Sequence, residues 1–196
     1  MKEILIYVEK GYADWEISHI GFQVKSSGKY DVKVVSKTKD PLVSMSGMRI
    51  IPDYSADEIF KSDIGNYPML ILCGGMFWSQ AGFVNDTAKK LVDLFLKNNK
   101  YVGAICDATT FLAYNNYVNG VRHTGNTIEN NIRSCPNYQG HSFYVNQQCV
   151  VGGNFITANG TSGLEFTREI LKLLEVRPLN EIEAWYQFRK NGMYPN

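Results

Sequence analysis

Three short segments limit what this chain can become. EILIYV (residues 3–8), YPMLILCGG (67–75) and YVGAIC (101–106) are nearly unbroken runs of apolar residues. A strand wetted on one face alternates apolar with polar residues, whereas an unbroken run of this length fits a strand covered on both faces. Helical spacing follows each run: Trp15, Ile17, Ile20, Gly21 and Val24 after the first, Ala88, Leu91, Val92, Phe95 and Leu96 after the second, Thr110, Phe111, Ala113 and Tyr114 after the third. Strands that alternate with helices must return to the same sheet through crossovers, so the pattern predicts an α/β fold around a mostly parallel sheet.

The remaining segments fill in this plan. YDVKVVSK alternates as a further strand, PLVSMSGMRIIPD reads as a β-hairpin turned at Ser46 and Gly47 and closed by Pro52, and residues 56–60 read as a short helix. SFYVNQQCVVGGNFITANG predicts short strands with turns at Asn146 and at Gly152 to Asn154, followed by a helix over TSGLEFTREILKLLE capped by Thr161 or Ser162. Beyond Pro178, Leu179, Ile182, Trp185, Tyr186 and Arg189 share one side of a last helix. We therefore divide the chain into an α/β domain over residues 1–177 and a helical extension of the same domain over 178–196.

With 20 basic and 19 acidic residues, the net charge of +1 offers no footprint for nucleic acid or an anionic membrane. The apolar runs are too short to span a membrane, and the N-terminal run, which carries Glu3, is too short for a secretory signal, so a cytoplasmic location is expected. Cys73, Cys106, Cys135 and Cys149 form no CxxC pair, which predicts free thiols and neither a structural zinc site nor any other metal or cofactor. The aromatics Trp185 and Tyr186 and the near-zero charge suggest apolar surface shared in a homodimer.

Chemistry concentrates at the joint in YVGAICDATTFLAYNN. Cys106 ends a strand and starts a helix, where a side chain is lifted out of both elements and a thiolate gains from the helix dipole. Cys73 also ends a strand, but glycines follow it and core packing suffices; Cys135 and Cys149 have no acid, base or helix start beside them. Ligands of open α/β sheets sit outside the carboxyl ends of the strands, which brings in Glu16 after the first strand and Gly74–Gly75 after the second. Glu16 reads either as a solvated carboxylate in a first helical turn or as a partly buried acid that hydrogen-bonds the thiolate. Asp14 reads as the cap of its helix. A backbone N–H of the Gly74–Gly75 pair, together with that of Asp107, could form an oxyanion hole.

Taken together, YADWE, LILCGG, YVGAICDATTFLA and ANGTSGLEFTREILKLL resemble, in order and spacing, the ThiJ/PfpI superfamily of class I glutamine amidotransferase-like proteins, over residues 2 to about 175. The resemblance implies a flavodoxin-like three-layer sandwich, Cys106 as a nucleophile-elbow cysteine, Glu16 as the family's helix glutamate, backbone oxyanion donors at Gly75 and Asp107, and dimer formation. Peptidase-like members carry a histidine directly after the cysteine, where this chain has Asp107, and many relatives carry one about twenty residues on, where this chain has Asn126. His123 and His141 remain as candidate bases, with His19 further off. The resemblance implies a cysteine hydrolase of peptidase or amidase type acting on a small-molecule or peptide substrate. Its alternatives are a glyoxalase-like or deglycase-like enzyme for α-oxoaldehydes and a non-catalytic redox-sensing stress protein.

Overall fold

A computed structural model describes residues 1–192. The central sheet holds seven strands in the order β5-β2-β1-β6-β7-β9-β8. They are β1 (Lys2–Tyr7), β2 (Tyr30–Ser36), β5 (Tyr54–Ser55), β6 (Met69–Leu72), β7 (Tyr101–Ile105), β8 (Cys149–Gly152) and β9 (Phe155–Ala158). All neighbours run parallel except β8, which pairs antiparallel with β9. The three apolar runs are β1, β6 and β7 at the centre, and every residue of β6 is buried. Between β3 (Leu42–Val43) and β4 (Arg49–Ile50), Gly47 turns the expected hairpin at φ 86°.

Eight α-helices cover this sheet among the described residues: α1 (Asp14–Lys25), α2 (Ala56–Phe60), α3 (Phe77–Gln80), α4 (Asp86–Lys97), α5 (Asp107–Tyr114), α6 (Ile128–Ser134), α7 (Gly163–Leu173) and α8 (Leu179–Asn191). The chain steps from β1 through α1 outward to β2, but from β6 through α4 to β7 in the opposite direction. Because such crossovers are right-handed, α1 and α4 lie on opposite faces. Helix α7 joins α1, and α8 packs on α7, where Tyr186 donates to Glu165 at 2.9 Å and Arg168 stacks over its ring. Tyr186 is therefore buried against α7, and Trp185 lies half-buried beside His19 of α1, so these two aromatics are taken up within the chain.

Helix α4 shows how periodicity becomes stability. Asn85 caps it by accepting from the Ala88 N–H, and Ala88, Leu91, Val92 and Phe95 form one stripe with no exposure. Replacing Phe95 by alanine leaves a cavity under this helix and is expected to cost about 3–5 kcal/mol in urea unfolding. Other local expectations differ from the structure. Asp14 is the first residue of α1 and accepts from the Ser46 N–H at 3.3 Å, tying the hairpin to the helix instead of capping it. Ser162 holds the cap position of α7 but its hydroxyl donates to Asn159. The SFYVNQ segment forms a 3₁₀ turn over His141–Phe143, and strand begins only at Cys149. Among the described residues, no helix is long and apolar enough to cross a membrane.

Candidate functional site

The sheet order reverses between β1 and β6, and the ends of β1, β6 and β7 open into one crevice. Cys106 is the single residue between β7 and α5, with φ 59° and ψ −132°, a backbone state that L residues rarely hold. Its N–H donates to Ala158 at 3.0 Å, while its carbonyl accepts from the Thr109 N–H at 3.0 Å and from the Thr109 hydroxyl at 2.6 Å. These three bonds fix the joint from both sides and offset its strain.

Glu16 lies in the first turn of α1 and is only 2% exposed, while α7 approaches its backbone at Gly163. Its carboxyl occupies the space that a side chain at Gly74 would fill: a methyl group there would stand 2.1 Å from Glu16 Oε2 and 2.7 Å from Cys106 Cβ. Acid and thiol thus meet across a glycine. Burial pushes Glu16 up to about 7, against the pull of the Cys106 thiol and the Gly74 N–H, with the Asp107 charge adding to the rise. Oε2 has no hydrogen-bond partner among the described residues.

The thiol is not the low-pKa group that its helix-start position suggests. Burial and then the negative charge of Glu16 push Cys106 up to about 12, and Asp107 adds to this. The Asn126 amide and the Asp107 N–H pull it down by less. Near neutral pH the sulfur therefore keeps its proton while the adjacent carboxyl titrates, the arrangement of an acid–base pair.

Asn126 completes the surroundings. Its amide nitrogen donates to Cys106 Sγ at 3.5 Å and to Asp107 Oδ1 at 3.2 Å, and its oxygen accepts from the Gly160 N–H at 2.9 Å. Both amide hydrogens are committed, so only one amide orientation satisfies the site. Burial holds the Asp107 carboxyl above its ordinary range, against the pull of nearby Ser79 on α3 and of Asn126. Gly75 has φ 143°, and a side chain there would stand 2.5 Å from the Gly11 carbonyl, so glycine is required where this loop passes the first.

No histidine is brought to the thiol. His123 is 1% exposed, with Nδ1 at 2.8 Å from the Val121 carbonyl and Nε2 at 2.8 Å from the Tyr138 hydroxyl. Nδ1 must donate to the carbonyl, which leaves Nε2 to accept from Tyr138; burial lowers its pKa and keeps the ring neutral. His141 is exposed and stacks edge-on with Tyr138, and His19 lies against Trp185. Cys73 lies beneath the site, fully buried, with its thiol donating to the Ala13 carbonyl at 3.4 Å. Sequence reasoning placed Asn126 in register with a relative's histidine but did not show its three bonds; for Ser79 and Gly160 the sequence carried no signal.

A parallel-sheet α/β protein with a cysteine at a strained strand-to-helix joint and a buried glutamate against it defines a broad class. Within that class, the DJ-1/PfpI family model matches residues 2–173, and the chain belongs to this family. Two curated relatives from Bacillus subtilis (strain 168) are similar over nearly the whole chain. The uncharacterized protease YoaZ is 32% identical, covering 96% of this chain and 91% of its own. The uncharacterized protease YdeA is 32% identical, covering 99% and 94%. The crystal structure of the DJ-1 superfamily protein Atu0886 from Agrobacterium tumefaciens superposes with a TM-score of 0.87 at 30% identity, covering 98% of this chain and 99% of that one.

The raised Glu16 has a consequence for stability. Its folded pKa lies above the ordinary value of 4.5, so the folded state binds the extra proton between about 4.5 and 7. The contribution is favourable below 4.5 and is lost as pH rises through 7, about 3 kcal/mol in all. In urea titrations from pH 4.5 to 8, Glu16→Gln is expected to remove that loss and to gain on the native protein as pH rises.

Proposed function

We propose that the chain is a cysteine-nucleophile hydrolase of peptidase or amidase type, with Cys106 and Glu16 as its working pair. The observation that carries this reading is the buried carboxyl of Glu16 against the thiol, its Oε2 without a hydrogen-bond partner among the described residues and its pKa raised to about 7, the range in which a histidine base works. As Sγ adds to the carbonyl carbon, its proton passes to the Glu16 carboxylate. The oxyanion so formed is held by the N–H groups of Gly75 and Asp107. Glu16 then returns the proton to the leaving nitrogen or oxygen, and a water deprotonated by Glu16 cleaves the thioester, releasing acid and restoring the thiol. The protease names of the two relatives support this reading.

The absence of an imidazole at the thiol favours a second reading. Addition of Cys106 to an α-oxoaldehyde needs no leaving group to be expelled, so Glu16 alone could move the protons. Peptide anilides, small amides and methylglyoxal, each assayed with native protein and Cys106→Ala, test the two. Cysteine-dependent release of amine supports the hydrolase. Consumption of methylglyoxal alone moves the assignment to the second reading, and peroxide-driven mass gain at Cys106 without any turnover favours a redox sensor. We also propose a homodimer in a reducing cytoplasm, supported by four free thiols and by exposed Trp15, Phe22, Met45 and Met48 on α1 and the hairpin. A monomer in sedimentation at tens of micromolar, roughly where a modest interface still holds, counts against it.

A further inference from the structure

A cleft of about 290 Å³ opens beside Asn126, which lines it together with Thr127, Ile128, Glu129, Tyr144 and Asn146. Asn126 belongs to both places: its amide touches Cys106 Sγ and Asp107 while it also forms part of the cleft wall. The walls offer carboxamides, hydroxyls and one carboxylate, and no lysine or arginine lines them. At the thiol end, among the described residues, the charges that act on Sγ are those of the Glu16 and Asp107 carboxyls. Arg133, the one cation of α6, lies outside the lining and has its guanidinium donating to Asn130 Oδ1 at 3.0 Å. A ligand that fills the cleft with one end at Sγ therefore passes Asp107 and ends near Glu129, with no lysine or arginine lining its path.

We infer that this cleft is the substrate subsite of the thiol centre, and that it selects compounds carrying a cationic, hydrogen-bond-donating group, such as an ammonium, beyond the reacting carbon. Carboxylate-bearing compounds are disfavoured by the same residues. The inference rests on Cys106 being the reacting group, as proposed above, but it extends to what that group is offered.

The two can be tested apart, because alkylation of Cys106 needs no turnover. N-(2-aminoethyl)maleimide, N-ethylmaleimide and N-(2-carboxyethyl)maleimide share one reactive ring and differ in charge. Their rates at Cys106, read by peptide mass spectrometry at pH 7 and low salt, are divided by their rates with 2-mercaptoethanol. The expected order is cation, neutral, anion, with about tenfold between the first and last for charges a few ångströms apart in a partly wet site. In Glu129→Lys the cation-to-neutral ratio should fall severalfold; because it is a ratio within one variant, a general loss of reactivity cancels. A flat series, or a ratio unmoved by Glu129→Lys, overturns the subsite. Failure of all three reagents to label Cys106 overturns the nucleophile reading on which it rests.

Discussion

Glu16→Gln is expected to cut turnover by about 10²–10⁴-fold, the ordinary worth of a positioned acid–base, while making the Cys106 thiol more acidic. The two effects have opposite signs for the reactivity of a simple thiolate, and that opposition makes the variant informative. The Glu16 charge is one of the groups that hold the thiol near 12, so the neutral amide lets the thiol pKa fall. If catalysis needed only thiolate, the variant would be faster. If Glu16 must accept the thiol proton as Sγ attacks and return it to the leaving group, the variant is slower despite its more acidic thiol. Thiolate absorbance against pH, with Cys106→Ser as blank, gives the first quantity, and kcat/KM on the best substrate of the panel gives the second.

Gly74→Ala is expected to disable the site and weaken the fold together. The added methyl would lie 2.1 Å from Glu16 Oε2 and 2.7 Å from Cys106 Cβ, distances that ordinary packing does not allow. Either Glu16 swings out of its pocket or the strand end moves; overpacking of this kind costs about 1–3 kcal/mol. The pair would no longer meet, so turnover should fall as far as in Glu16→Gln. Gly21→Ala is the matched control. It lies in α1 with open space where its methyl would go, so the helix is expected to gain about 0.5–1 kcal/mol with the site undisturbed.

What could be read from the sequence follows from the range of the forces involved. The central strands were legible because β6 and the buried stretches of β1 and β7 are covered on both faces and had to be apolar there. Cys106 was legible because strand spacing gives way to helical spacing within one residue. Glu16 could be placed near it through the rule that strand ends share a crevice. The stretch over residues 117–148 was not legible, since its polar residues hold one another through contacts distant in sequence. Thr124 is the example: its N–H donates to the Thr157 hydroxyl and its own hydroxyl to the Gln147 carbonyl. The alternation in SFYVNQ suggested strand, yet Phe143 there is exposed and the segment turns as 3₁₀. The sign of the thiol shift was also out of reach. The helix-start argument counts one local dipole, whereas burial and two carboxylates, brought in from α1 and from the thiol's own neighbour, outweigh it.

In the proposed chemistry Glu16 is the group that takes the proton from Cys106. The most direct test is the rate of Cys106 alkylation by iodoacetamide from pH 5 to 10, in native protein and in Glu16→Gln. In native protein the rate is expected to rise in a distinct step near pH 7, as Glu16 ionises and can accept the thiol proton, before a second rise at higher pH. In Glu16→Gln the step near 7 should vanish, leaving a single rise. One rise at the same pH in both proteins, with no inflection near 7, would contradict the pairing of Glu16 with Cys106.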